Sequence, residues 1–326
     1  MSRTMSRRAF TAGSVATLLG GATIISLPVS HIAAAAAQDV DLTSLGLPTI
    51  DVTVTTNAFE GAPSALDAGR YLVTATLASG VEEGAVAFVQ PPSGMAAADF
   101  LAAIGAGGGG TPEASPPVIE AEASPAEEEA FQPEVLPTFI YQSVFAGGVN
   151  TGGGPAMAVV DLGPGEWILW ADGPDSPQAP VTFMVNGEPP TDLPEPDADV
   201  MVTYIDFGIT VEGSLTAGDH ILRIENQGAQ PHFLDLEKGP DTMTNEDIAT
   251  LIDAFFGGGS PPASLPFDPD KDLHTVLNTA AQSIGTVMWT TVSLEAGTYL
   301  AACFFPTAGE GLPHAAHGMH TVFKVT

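Results

Sequence analysis

Apolar and polar residues alternate in short runs along most of this chain, and Gly, Pro and Asp break each run before it reaches helical length. A period of two between turn formers predicts half-buried strands, and a succession of such strands predicts a β-sandwich. The turn phrases Leu215-Thr216-Ala217-Gly218 and Leu294-Glu295-Ala296-Gly297 each precede a strand, and Thr321-Val322-Phe323-Lys324-Val325 closes the chain as another. One stretch keeps a different period. Ile248, Leu251, Ile252 and Phe255 fall on one helical face, with Thr244 placed to cap the helix and Gly257-Gly258-Gly259 to end it. Its apolar stripe is expected to seal an end of the sandwich.

The order of elements occurs twice. Ala68-Gly69-Arg70-Tyr71-Leu72-Val73 leads to Phe88-Val89-Gln90-Pro91, then to a helical piece at Ala96–Ile104 and a Gly/Pro-rich tract. Ala217-Gly218-Asp219-His220-Ile221-Leu222 leads in the same way to Phe233-Leu234-Asp235-Leu236, a helix and a second tract. Asp161-Leu162-Gly163-Pro164-Gly165-Glu166-Trp167-Ile168 answers Ser293-Leu294-Glu295-Ala296-Gly297-Thr298-Tyr299-Leu300. Matching order and spacing over such a length predict a duplicated unit. The expected fold is therefore all-β, with two tandem Greek-key sandwiches at 48–187 and 200–326, each carrying a short helix. The proline-rich, acidic stretch 188–199 reads as the linker. Residues 107–137, rich in Gly, Pro, Ala and Glu, bury too little apolar surface to order and read as a disordered insert.

The first 37 residues change the picture of where the protein works. Arg7-Arg8 precedes an uncharged apolar run, and Ala33–Ala37 offers a small-residue cleavage site. Together they predict a twin-arginine signal peptide, export to the periplasm, cell surface or exterior, and no membrane insertion once the signal is removed. The mature chain would then carry 5 basic residues against 39 acidic ones, since three of the 8 basic residues lie in the signal. Nucleic acid and anionic membrane are poor partners, since both would be repelled, whereas a redox protein with a basic docking surface, or simply solubility in a salty habitat, fits the charge. A single cysteine cannot close an intramolecular disulfide, so Cys303 is a buried thiol or a metal-bound one.

Its neighbours favour the second possibility. Cys303 is followed after ten residues by His314 and after four more by Met319, and His232 stands upstream after Pro231. A thiolate, two imidazoles and a weak thioether are the donor set of a blue-copper centre, and the methionine favours a softer ion than zinc. Between residues 32 and 219 there is no histidine and no cysteine. Serines lack a nucleophile-elbow pattern, and the Gly-rich tracts lack the Lys-Ser/Thr of a phosphate loop.

Three phrases resemble the plastocyanin-like cupredoxins over residues 201–326. Asn226…Pro231-His232 resembles the segment that supplies their first histidine, Gly297-Thr298-Tyr299…Cys303 the strand that delivers their cysteine, and His314-Ala-Ala-His317-Gly318-Met319 the end of their ligand loop. The resemblance implies one type 1 copper held by His232, Cys303 and His314, with Met319 as the long axial ligand, and Phe304 and Phe305 keeping water out. The loop is longer than in small plastocyanins. His317 also lies close, but only Gly318 separates it from Met319, so His314 is placed ahead of it. His220, aligned with Tyr71, is expected to pack, and His274 and His320 to be surface or core residues. Ala171 stands where the first half would need its cysteine, so that half is expected to be copper-free.

The implied function is electron transfer without catalysis. Copper oxidases and nitrite reductases resemble this chain in having two such domains, but they place a histidine beside the cysteine, where Ala302 stands here. The alternative is a metal-free or copper-storing module used for binding or adhesion.

Overall fold

The computed structural model describes residues 41–105, 133, 135–152, 155–171, 178–256 and 265–326. The expected signal peptide, most of the expected acidic insert and the Gly257–Gly259 helix stop lie outside the described residues. In the first half, β1 (Thr49–Val54), β2 (Phe59–Glu60), β3 (Ala65–Asp67), β4 (Gly69–Leu77) and β5 (Glu83–Gln90) precede helices α1 (Ala97–Ala103) and α2 (Thr138–Tyr141). Strands β6 (Val144–Gly152), β7 (Ala156–Leu162), β8 (Gly165–Trp170) and β9 (Val181–Asn186) complete it. The second half runs β10 (Val200–Ile205), β11 (Gly208–Gly213), β12 (Gly218–Asn226), β13 (Asp235–Gly239), α3 (Asn245–Phe256), α4 (Pro269–Asp272), β14 (His274–Asn278), β15 (Val287–Leu294), β16 (Gly297–Ala302) and β17 (His320–Val325).

The same pairing order appears in each half. One sheet of the first half is ordered β2-β1-β4-β7, and its counterpart is β11-β10-β12-β15. In both, the first strand lies parallel to the fourth-strand analogue: Ile50 opposes Val73, and Val200 opposes Leu222. The facing sheets are β3-β9-β8-β5-β6 and β14-β13-β16-β17. The architecture is all-β, two cupredoxin-like sandwiches in tandem. Corner contacts repeat as well. Tyr71 donates its hydroxyl to the Asp67 carbonyl at 2.5 Å, and His220 Nε2 bonds the Thr216 carbonyl at 2.8 Å. Trp167 Nε1 donates to the Gly163 carbonyl at 2.8 Å, and the Tyr299 hydroxyl to the Glu295 carbonyl at 2.9 Å. Each ties a ring at the start of a strand to the residue four back, which closes the turn before it. His220 is therefore a packing residue, buried and also bonded to Asp199 at 2.7 Å.

Among the described residues, backbone pairing joins the halves at two places. Strand β7 pairs antiparallel with β15, with Val160 opposite Met288, and makes one eight-stranded sheet. On the outer face of this joint lies Trp289, fully buried, with the Arg70 guanidinium 4.4 Å and that of Arg223 5.9 Å from its ring centroid. Arg70 also donates twice to Asp161, at 2.7 and 2.8 Å, and once to the Pro194 carbonyl. Two of the few cations in the chain are thus committed to the joint rather than to the surface. The second contact is β6 against residues 279–283, with bridges Val149 to Thr279 and Ala146 to Gln282.

Helix α3 begins as read from the sequence. Thr244 Oγ1 accepts from the Asp247 amide at 3.2 Å, while Asp247 accepts from the Thr244 amide at 3.0 Å, a reciprocal cap. Ile248, Leu251 and Ile252 are buried, and the helix packs on β17 and on residues 314–317. Each half also carries a further single-turn helix that periodicity did not predict. Four residues are too few to show a period, although Asp268 before Pro269 is an N-cap and N1 pair.

Strand β13 holds two acids in an apolar setting. Asp235 lies opposite Ala302 on one side and Asn278 on the other, and its neighbour on the same face is Glu237. Burial raises the Asp235 carboxyl to about 6, against an opposing hydrogen bond from Asn278, and raises Glu237 well above the usual range. The fold therefore favours the protonated acids. The stabilising contribution of Asp235 is full below the unfolded carboxylate value of about 4 and is lost as pH rises through about 6. Asp235→Asn is expected to gain on the parent protein between pH 4 and pH 7 by on the order of 2 kcal/mol. Melting curves of both proteins at the two pH values check this, and a constant difference would show that Asp235 ionises without penalty.

Candidate metal centre

Cys303 follows directly on β16, whose hydrogen bonds to β13 and β17 fix its direction. It is fully buried. The chain then leaves as Phe304-Phe305-Pro306, turns, and pairs back on itself through a bridge between Pro306 and Pro313 and a bond from the Thr307 amide to the Leu312 carbonyl at 2.7 Å. This self-pairing is why ten intervening residues still return His314 to Cys303. The His314 amide donates to the Phe305 carbonyl at 2.9 Å, and the Ala315 amide to the Cys303 carbonyl at 2.8 Å. A single 3-10 turn, His314–His317, follows and ends at Gly318, where φ is 99°, a left-handed conformation that glycine adopts without penalty. The reversal brings Met319 back, fully buried, with its carbonyl accepting from the Cys303 amide at 3.1 Å.

His232 reaches the same place from another direction. Its backbone bridges Gln282 in both senses, at 3.0 and 2.7 Å. Asn226, also buried, shapes the approach: its side-chain amide donates to the carbonyls of Gln230 and Gln282, and its oxygen accepts from the Gly228 amide. Gln282 in turn pairs with Ala146 of the first half, so β6 backs the segment that carries His232.

The three side chains converge. His232 Nδ1 and His314 Nδ1 lie 2.9 Å apart, and Cys303 Sγ is 3.7 Å from the first and 3.6 Å from the second. Among the described residues, these three form the group of His, Cys, Asp and Glu side chains compact enough to hold a metal ion. Burial lowers His232 to about 4 despite Asp206, and lowers His314 to about 3 with help from the nearby His232 and His317. Burial likewise pushes the Cys303 thiol up to about 12, opposed by the backbone amides of Phe233 and Phe305 directed at its sulfur. Both rings are thus neutral, with lone pairs available, and the thiol has two donors waiting for a thiolate. Among the described residues, His314 Nε2 is buried and has no hydrogen-bond partner. Two imidazole nitrogens and a thiol sulfur in mutual contact are a donor set that suits a soft or borderline cation.

His317 lies outside the cluster. It is exposed, paired with Glu310 at 3.2 Å and tilted against the Phe207 ring at 4.9 Å. His320 starts β17 opposite Ala302, and His274 is exposed at the start of β14. In the first half Ala171 follows β8 as Cys303 follows β16, and the space before it is filled by rings: Trp170 stands 6.0 Å from Phe100 and 6.4 Å from Phe145. Two residues at the site escaped sequence reasoning. Asp206 Oδ1 lies 3.2 Å from His232 Nε2, within hydrogen-bond distance, and Phe207 sets its ring edge-on to His314 at 5.6 Å. The signal that could have found them is the two-residue turn between β10 and β11, but one acid among 39 stands out only by position.

No family model matches the chain, and no curated protein matches its sequence. Solved structures similar to it include reduced auracyanin from Roseiflexus castenholzii, 18% identical over 39% of this chain and 94% of that one, with a TM-score of 0.25. Auracyanin A from Chloroflexus aurantiacus, described as a "blue" copper protein, is 19% identical over 39% of this chain and 96% of that one, with a TM-score of 0.25. A multi-copper oxidase from Pediococcus acidilactici is 10% identical over 86% of this chain and 59% of that one, with a TM-score of 0.23. By its strand pairing the fold is cupredoxin-like.

Proposed function

We propose that this chain is an exported copper protein that carries electrons, with one ion held by His232, Cys303, His314 and Met319. The observation that carries the reading is the contact of three buried donors whose backbones are each fixed by hydrogen bonds. When bound, copper supplies a one-electron couple. A donor set that is already in place moves little when the charge on the ion changes, which favours rapid transfer. The amides of Phe233 and Phe305 stabilise the thiolate that binding requires. The apolar neighbours Phe304 and Phe305 exclude water.

The domains are proposed as 48–187 and 200–326 joined by 188–199, the first acting as the backing of the second through β6 and β7. The carrier is read as non-enzymatic because Ala302, rather than a histidine, precedes Cys303. Its acidic surface fits a basic redox partner. No helix among the described residues is long and apolar enough to cross a membrane.

The test is to add Cu(II) to the metal-free mature protein and record visible and paramagnetic-resonance spectra. An intense blue or green band with narrow hyperfine splitting at one copper per chain supports the reading. Colourless binding favours copper storage on the same donors, and no binding favours a contact module. As an internal control, Ala171→Ser is expected to leave stoichiometry and spectrum unchanged, and a change in either would give the first half a part in metal binding.

A further inference from the structure

The turn between β10 and β11 touches both imidazoles of the centre. Asp206 meets His232, and Phe207, with φ at 61°, covers His314. The two contacts differ in kind. His314 is packed by rings, Phe207 at 5.6 Å and Phe305 at 6.0 Å, and its Nε2 has no polar partner. His232 faces a carboxylate.

That carboxylate is itself held. Besides the ring, Asp206 Oδ1 accepts from the Ala229 amide at 2.9 Å and the Gln230 amide at 3.2 Å. The fit also depends on Gly228, where a Cβ would lie 2.6 Å from Asp206 Oδ1 and 2.7 Å from His232 Nε2. A side chain of any size at 228 would part the pair. The acid and ring are thus fitted to each other from three sides.

We propose that Asp206 is a positioning residue of the metal centre, fixing the His232 tautomer that leaves Nδ1 bare and placing a negative charge behind that ligand ring. The role in metal binding rests on the function proposed above. An Nε2–H given to Asp206 obliges the lone pair to sit on Nδ1, the atom facing Cys303 and His314. The charge acts on the couple. With thiolate and carboxylate present, a divalent ion makes the site neutral, and a monovalent ion leaves it at −1 in a buried setting. The oxidised ion is therefore favoured, with the effect moderated because the Asp206 side chain is 34% exposed.

Two variants separate the roles. Asp206→Asn keeps an oxygen for the two amides and for His232 Nε2 but removes the charge, whereas Asp206→Ala removes both. Nitrogen-15 NMR of the metal-free mature protein reads the His232 tautomer without any copper, and voltammetry of the copper-loaded protein reads the potential. The parent and Asp206→Asn are expected to hold the Nε2–H form, and both Asp206→Ala and Gly228→Ala a mixture. Asp206→Asn is expected to lower the ratio of oxidised to reduced copper affinity at least tenfold, a rise of about 59 mV for a one-electron couple, with the visible band retained. A parent His232 protonated at Nδ1 overturns the proposal, as does an unchanged potential in Asp206→Asn. If the protein takes up no copper, the electron-transfer reading fails by itself and the tautomer measurement still decides whether Asp206 positions the ring.

Discussion

Cys303→Ser is expected to abolish the visible band of the copper-loaded protein, because that band requires charge transfer from a thiolate to the ion. The hydroxyl that replaces the thiol stays far too weak an acid to serve in its place. Folding should survive, since a serine oxygen can still accept from the Phe233 and Phe305 amides that face position 303. The metal-free variant is expected to lie within about 1–2 kcal/mol of the parent. Absorption spectra of the two proteins with one equivalent of Cu(II), alongside urea denaturation without metal, check both statements. A band of undiminished intensity in the variant would remove Cys303 from the centre.

Phe305→Ala is the substitution expected to cost the most stability. Its ring is fully buried and packs against Tyr141 at 5.9 Å and Phe145 at 6.2 Å, both from the first half, and against His314. Removing it empties a space bordered by both halves and a ligand ring, with an expected cost of about 3–5 kcal/mol. The backbone of Phe305, which donates toward Cys303 and accepts from the His314 amide, remains in place. Copper should therefore still bind, in a site more open to water. Denaturation midpoints combined with copper titration measure the two effects. A loss below about 1 kcal/mol would mean that the first half does not grip the ligand loop through this ring.

The repeated architecture was legible because it lies in local patterns. Turn phrases before Gly165 and Gly297 and the short apolar runs that follow them need no long-range information, and both strands begin there. The cap at Thr244 was readable for the same reason. The short helices at Thr138–Tyr141 and Pro269–Asp272 were not, because a single turn carries no periodic signature. At the candidate metal centre the donor types were legible, since the one cysteine of the chain is followed at short spacing by a histidine and a methionine. The choice between His314 and His317 rests on the fold: the Pro306–Pro313 bridge and the turn at Gly318 direct His314 inward and leave His317 beside Glu310.

By itself the sequence determined that this chain forms strands in two matching sets, that its chemistry is confined to the last third, and which atoms are on offer there. These follow from residue type and near neighbours. Only the tertiary structure decided that β6 of the first half backs His232 through Gln282, that Phe305 sits between the halves, and that Asp206, of the acids among the described residues, meets the His232 ring. Those contacts join residues 26 to more than 130 positions apart. They depend on strand register and on how one loop closes over another, and no local pattern of apolar and polar positions encodes either.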